Sequence, residues 1–476
     1  MRKKKDLPLL LDVEISNAGA EGKALAKVDG LVIFVPFVVP GDIVDIQILK
    51  KKKNFAEGRA VQIKKYSDKR VDPICPHFGV CGGCKWQTLR YDEQLAAKQQ
   101  QVRDNLERLG NIDCSLMRPI CGSEKTAYYR NKLEFTFSTK KWHTNPAEAN
   151  DDQQGAVGFH IPNLFDKVLE IDHCALQRDP SNDIRLAIKD YAIEHNLTYY
   201  DIRNHTGFLR NLVIRCTSTG EWMVIVIVAQ DDKEKLFALL DFIGEKFPQI
   251  ASLCYIINEK FNDSYTDLDV NCYRGQDFIM ERMESYDKRT PALQYKINPK
   301  SFYQTNSEQA QRLYSFVAEF ADLQGDETVY DLYTGTGTIA HFVAKMCKKV
   351  VGIEYVEEAI ADARVNATIN HHNNTTFYAG DMAKVLTEEF IRANGYPDVV
   401  ITDPPRAGMH ESVIQQLLST KPKKIIYVSC NPATQARDLS MLSPLYTVGR
   451  IQPVDMFPHT QHVENIVELT LSHKEE

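Results

Sequence analysis

The chain has 476 residues, of which 43% are hydrophobic and 25% charged, and a net charge of −7. These proportions sit near the globular average, which excludes a fibrous or wholly disordered chain, and the length fits about three domains. The longest apolar runs, such as Leu31 to Val39 and Met223 to Ala229, fall well short of the ~18 residues a membrane span needs. The basic start Met1 to Asp6 leads into no apolar segment, so a cytoplasmic protein is expected rather than a membrane or secreted one.

Residues 1–66 read as five short strands: Leu11 to Ser16, Lys23 to Val28, Leu31 to Val35, Ile43 to Leu49 and Gly58 to Lys65. Turns at Asp29-Gly30 and Pro40-Gly41 separate them, which predicts a small barrel of the oligonucleotide-binding kind. Residues 1–70 hold 15 Lys and Arg against 9 Asp and Glu, a balance of +6 that leaves −13 for the remainder. Clusters such as Lys50 to Lys53 suit a polyanion-binding surface, although charge alone equally fits a solvated loop.

Residues 67–124 hold Cys75, Cys81 and Cys84 in a C-x5-C-x2-C spacing, while the other eight of the eleven cysteines are scattered singly. In a reducing compartment that grouping points to metal before disulfide. A helix follows, because Tyr91, Leu95, Val102, Leu106 and Leu109 recur at helical steps and Gly110 supplies a stop.

Residues 125–295 mix strands (Lys132 to Ser138, Asn211 to Thr217, Trp222 to Ala229) with helices (Asp183 to His195, Lys233 to Lys246). A central α/β or α+β domain is expected there, with Asn145 to Gln154 as a polar loop. Residues 296–476 alternate between strand and helix. The strands are Thr328 to Tyr333, Lys349 to Glu354, Asn374 to Ala379, Asp398 to Thr402 and Lys424 to Ser429, with His341 to Cys347 and Glu357 to Asn370 helical. This pattern predicts a Rossmann-like parallel sheet with its ligand at the carboxyl ends of the strands.

The first of those strands runs into a two-glycine turn, Tyr333-Thr-Gly335-Thr-Gly337-Thr338, which lets the backbone approach a ligand closely at a helix start. Glu354 ends the second strand, where a carboxylate can accept both ribose hydroxyls. Alone, the turn also fits a dinucleotide site. Asp381 and Asp403 after the third and fourth strands favour a ligand with ribose, adenine and a cationic sulfonium, S-adenosylmethionine. Each carboxylate taken singly is as readily a helix N-cap.

Cys430 follows the fifth strand, and Glu464 stands before a final one. A thiol there is more often a small hydrophobe. Combined with a methyl donor, however, a thiol and a carboxylate suit one chemistry. Carbon 5 of a pyrimidine is a weak nucleophile until a thiolate adds at carbon 6, and a base must later remove the carbon 5 proton.

Asp331–Thr338, Asp403-Pro-Pro-Arg-Ala-Gly408, Val428-Ser-Cys-Asn-Pro-Ala433, Phe457-Pro-His-Thr460 and His462-Val-Glu464 together resemble the RNA uracil-5-methyltransferase family, as does nearly the whole chain. The resemblance implies Cys430 as nucleophile and Glu464 as proton acceptor. It implies S-adenosylmethionine on Gln304 (in Ser301-Phe-Tyr-Gln-Thr-Asn306), Tyr333, Gly335, Gly337, Thr338, Glu354, Asp381 and Asp403. Tyr333 and Thr334 stand where the family often has Phe and Cys.

The cysteine spacing leaves zinc and an iron–sulfur cluster both open. Resemblance to the 23S ribosomal RNA subfamily implies a [4Fe–4S] cluster on Cys75, Cys81, Cys84 and Cys174, and an RNA-binding TRAM barrel over residues 7–66. It also implies 23S ribosomal RNA as substrate, although some members act on transfer RNA. A monomer is expected. Asp403-Pro-Pro405 also resembles amino-group methyltransferases, but Arg406 stands where those need an aromatic residue. A non-catalytic RNA-binding or assembly factor is the remaining alternative.

Overall fold

The computed structural model describes residues 7–145, 155–288 and 290–472. Lysines 3–5 and Arg2 of the basic start, and residues 146–154 of the expected polar loop, lie outside the described residues. Among those residues no helix is long and apolar enough to cross a membrane.

Strands β1 (Leu9–Ala18), β2 (Ala24–Val28), β3 (Leu31–Val35), β4 (Ile43–Lys51) and β5 (Phe55–Lys65) close a barrel in the order β1-β2-β3-β5-β4. Alternation puts Ile15, Ala26, Ile33, Val35, Val44, Ile46 and Ile48 inside. Lys50 to Lys53 stay exposed at the β4–β5 tip. Buried Asp42 fastens the barrel to the next segment, accepting from the Arg70 guanidinium at 2.6 Å and from the Val39 and Ser67 amides.

Helix α1 (Tyr91–Gly110) occurs where expected, but its buried face is Gln94, Lys98, Val102, Leu106 and Gly110. Leu109, expected on the apolar stripe, is 62% exposed. The helix's N-terminal half meets polar backbone instead of apolar side chains, so its buried positions there are polar.

The central sheet comprises β6 (Lys132–Ser138), β7 (Ala156–His160), β8 (Val168–Glu170), β9 (Leu209–Cys216), β10 (Trp222–Val228), β11 (Ile250–Ile257) and β12 (Asn271–Gly275), ordered β12-β11-β10-β9-β6-β7-β8. Helix α2 (Ser181–Glu194) lies after β8, and α3 (Lys233–Lys246) makes the crossover between the parallel pair β10–β11. Every residue of β10 is buried. Trp222, Val224, Val226 and Val228 face one core, while Met223, Ile225 and Ile227 join the core of the C-terminal sheet. The two sheets are thus packed through one continuous apolar layer. A hairpin of β13 (Ile279–Met283) and β14 (Leu293–Ile297) adds Leu293, Tyr295 and Ile297 to that layer. The expected border at 295/296 falls inside β14.

The C-terminal sheet comprises β15 (Thr328–Leu332), β16 (Lys349–Glu354), β17 (Thr375–Ala379), β18 (Val399–Thr402), β19 (Lys424–Ser429), β20 (Tyr446–Val454) and β21 (Glu464–Leu471). Its order is β17-β16-β15-β18-β19-β21-β20, with the first five parallel and β21 antiparallel to both neighbours. One face packs on α4 (Ser307–Ala321), α5 (Thr338–Val343) and α6 (Glu357–Ile369). The other packs on α7 (Met382–Val385), α8 (Glu388–Asn394), α9 (Glu411–Thr420), α10 (Pro432–Leu442) and the C-terminal half of α1. Chain order reverses between β15 and β18, the switch point at which open α/β sheets bind ligands.

Candidate active site and cysteine cavity

The turn after β15 wraps around a carboxylate. Asp331 accepts from the Thr334 hydroxyl and from the Ala340 amide at 3.0 Å, so it caps α5 from inside the strand. Its other oxygen is buried with no hydrogen-bond partner. Burial pushes this carboxyl up to about 7. Tyr333, Gly335 and Gly337 all have positive φ, and a Cβ on Gly335 would meet nothing within 4 Å. The turn is therefore open at Gly335, while Gly337 is packed against His341 and Ala363.

Glu354 bridges two loops, accepting from the Gly335 amide at 3.1 Å and the Val356 amide at 3.0 Å. Thr338 pairs with the Tyr314 hydroxyl at 3.1 Å. The Gln304 carbonyl accepts from Asn131 at 2.8 Å, while buried Arg215 donates to the carbonyls of Asn298, Pro299 and Ser301. The central sheet thereby holds the Gln304 segment against the turn. Asp381 caps α7 through the Ala383 amide.

Cys430 leaves β19 at the same end. Asn431 accepts from the Ala433 amide and Pro432 opens α10, an ordinary helix start that turns the chain directly after the thiol. Asn431 also donates to the Arg406 carbonyl at 2.9 Å, tying this turn to the Asp403–Gly408 loop. Because Ser429 is paired with Asn465, the next residues along the ladder, Cys430 and Glu464, emerge together. Burial, then Glu464 and Asp403, push the Cys430 thiol up to about 11, while Arg406 pulls it down. Burial and Asp403 hold Glu464 well above the usual carboxylate range, again opposed by Arg406. Arg406 also lies 3.4 Å from the His462 ring.

A second feature lies apart from this crevice. Cys75, Cys81, Cys84 and Cys174 line one cavity of about 540 Å³, with Lys85, Arg130, His160 and His173 around it. The Gly83 amide points at the Cys81 sulfur at 3.5 Å. Burial and mutual repulsion push the Cys81 thiol to about 11 and the Cys174 thiol to about 12. Among the described residues no three His, Cys, Asp or Glu side chains converge closely enough for a single metal ion. These thiols surround a volume instead of a point.

The tRNA (uracil-5-)-methyltransferase family matches residues 270–472, and the TRAM domain matches residues 10–61. An uncharacterized RNA methyltransferase of Bacteroides thetaiotaomicron is 58% identical, over 95% of this chain and 99% of the relative. Another, from Porphyromonas gingivalis, is 53% identical over 96% and 98%. The chain belongs to the RNA uracil-5-methyltransferase family. Among solved structures, Pyrococcus abyssi tRNA (uracil-54, C5)-methyltransferase in complex with S-adenosyl-L-homocysteine superposes with a TM-score of 0.74 at 29% identity, covering 96% of this chain and 100% of that one.

The strand-end turn of this methyltransferase fits S-adenosylmethionine: it offers an orphaned carboxylate oxygen, open space over Gly335, and strand-end carboxylates. Tyr333, Gly335, Gly337 and Thr338 follow β15 and Asp403 follows β18, the two strands at the switch point; Glu354 joins them through the Gly335 amide, and Gln304 lies two residues after Phe302, whose carbonyl accepts from Thr336. Asp381 sits beyond the neighbouring strand, occupied as a helix cap. Sequence reasoning passed over Asp331 and Arg215. Asp331 had a signal, as an acidic residue inside an apolar strand. Arg215 had none, since a charged residue in a strand ordinarily reads as its solvent face.

Proposed function

We propose that the chain makes 5-methyluridine in 23S ribosomal RNA through a covalent bond between Cys430 and carbon 6 of uracil. The Ser429–Asn465 register carries this reading, because it delivers a thiol and a carboxylate to one place beside the cofactor turn. Gln304, Tyr333, Gly335, Gly337, Thr338, Glu354, Asp381 and Asp403 hold S-adenosylmethionine, which supplies an electrophilic methyl group. Cys430 loses its proton to solvent and bonds as thiolate to carbon 6, and the 5,6 double-bond electrons shift toward the carbon 4 carbonyl as an enolate, which makes carbon 5 nucleophilic. Carbon 5 bonds to the methyl group as the methyl–sulfur bond breaks, its electron pair leaving on sulfur as S-adenosylhomocysteine, and Glu464 then takes the carbon 5 proton. The released electron pair re-forms the 5,6 double bond and expels the Cys430 thiolate. Arg406 favours the thiolate throughout, since it opposes both neighbouring carboxylates.

The four-cysteine cavity fits a [4Fe–4S] cluster held by Cys75, Cys81, Cys84 and Cys174. Its thiols enclose room for a multi-atom group, Gly83 donates to one sulfur, and Lys85 and Arg130 offset negative charge. When bound, the cluster ties the 75–84 segment to Cys174. No step of methyl transfer runs through it.

The ribosomal assignment rests on the combination of barrel and four cysteines. Transfer RNA is the second reading, favoured by the substrate named for the Pyrococcus abyssi structure. Mapping 5-methyluridine in RNA from a strain lacking this protein separates them: a site lost from 23S RNA supports the first, a site lost only from transfer RNA the second. Normal turnover by Cys430→Ala would return the choice to an amino-group methyltransferase.

A further inference from the structure

Lys98 and Asp455 form an ion pair at 2.6 Å in which both side chains are wholly shielded from solvent. The pair lies outside the reacting groups, yet it sits at the base of the connection between β20 and β21, the segment whose far end is Glu464. Val454 and Glu464 are paired across that hairpin, so residues 455–463 form its whole loop.

One face of α1, at positions 91, 94 and 98, grips this loop. Lys98 donates to the Asp455 carboxylate and, at 3.0 Å, to the Phe457 carbonyl. Tyr91 donates to the second Asp455 oxygen at 2.8 Å, its own oxygen accepting from the Ser123 amide. The Gln94 carbonyl oxygen accepts from the His459 amide at 2.9 Å, and its amide group lies 3.3 Å from the His459 ring. The Lys85 and Trp86 amides both donate to the His459 carbonyl. His459 has φ of 65°, a left-handed conformation that a residue with a Cβ keeps only when its surroundings impose it. From the other side, Gln309 donates to the Asp455 carbonyl and Asn306 to the Met456 carbonyl.

This is an expensive way to pack a helix. A buried ion pair contributes little net stability compared with apolar residues of the same shape, so stability alone does not account for it. It does fix a backbone path, since each bond has one direction and one length. We propose that Lys98 and Gln94 are positioning residues for Glu464: through Asp455 and His459 they hold the 455–463 loop so that the carboxylate stands where the carbon 5 proton is released. The inference rests on Glu464 being the proton acceptor.

The test uses the full-length protein with uridine RNA and S-adenosylmethionine. It compares Lys98→Met, the double variant Lys98→Met/Asp455→Asn, Gln94→Met and Glu464→Gln. The double variant leaves no uncompensated buried charge and is expected to regain the thermal stability that Lys98→Met loses. Its kcat is expected to stay ~10-fold or more below wild type, with KM for S-adenosylmethionine within about twofold. On denaturing gels, RNA–protein adduct should accumulate in it and in Gln94→Met, as in Glu464→Gln. Recovery of both stability and kcat in the double variant would make the pair a packing element and overturn the proposal. So would a fall in kcat without adduct where Glu464→Gln does accumulate it. If Glu464→Gln itself accumulates no adduct, the proton-acceptor reading falls, and the positioning role falls with it. Gln94→Met buries no orphaned charge, so it tests the loop even if Lys98→Met does not fold.

Discussion

Ser429 and Asn465 close the antiparallel ladder between β19 and β21, and the next residue outward on each strand is Cys430 on one side and Glu464 on the other. Two residues 34 positions apart in sequence are thereby brought to the same end of the sheet, near enough for the Glu464 charge to raise the Cys430 thiol. Replacing Cys430 by Ala should abolish the adduct with 5-fluorouridine RNA and lower turnover at least ~10³-fold, while calorimetric binding of S-adenosylmethionine persists. A stable adduct in this variant would place the nucleophile elsewhere.

Arg406 is the positive group that opposes the thiol's upward shift. The Cys430 thiol, pushed to about 11, reacts as thiolate, so adduct formation in single turnover should rise with pH through the neutral and mildly alkaline range. Removing the guanidinium leaves burial, Glu464 and Asp403 unopposed, which raises the thiol further. Arg406→Met should therefore be slower at pH 7.5 by about tenfold and regain rate as pH increases, moving the profile to the alkaline side. A uniform loss at every pH would indicate lost RNA contact instead.

The barrel strands, the parallel sheet and the order of strand-end residues were legible in the sequence because alternation and the strand–helix rhythm report burial directly. Helix α1 shows the limit. Its period was visible, but the apolar residues marked the wrong face: Gln94 and Lys98 are buried and Leu109 is not. Apolar periodicity assumes an apolar partner, and here the partner is backbone carbonyl, amide and carboxylate from residues 455–459. Strands β7, β8 and β12 are short or at the sheet edge, and β12 is mostly exposed, so neither period nor composition announced them. In the site, glycines, strand-end acids and the Cys430 turn carried local signatures. Arg215 acts on carbonyls that follow the fifth strand after its own and carried none.

Asp331 makes stability pH-dependent in an unusual direction. Its folded value of about 7 lies above the ordinary carboxylate value of 3.8, so between those values the folded chain holds a proton that the unfolded chain has lost. Stability from this group is fully present below about pH 4 and declines as pH rises toward 7. Asp331→Asn keeps an acceptor for Thr334 and Ala340 but cannot ionise. Its melting temperature relative to wild type should therefore increase between pH 5 and 8, measured by calorimetry of the unliganded protein. A constant difference across that range would show that the carboxylate's charge is compensated.

Cys174 comes from a different part of the chain than Cys75, Cys81 and Cys84, yet all four line the same cavity. Protein purified without oxygen should be brown and contain iron, and Cys81→Ser should lose that iron because three thiolates cannot complete the four ligands such a cluster uses. Removing the iron by chelation should also loosen the segment. The Cys75 amide donates to the Gln87 side chain at 3.0 Å, a bond that needs no metal. Faster amide exchange on chelation should therefore appear at Cys81, Gly83 and Cys84 more than at Cys75. Stoichiometric zinc with no iron would overturn the cluster assignment while leaving the methyl-transfer chemistry at Cys430 intact.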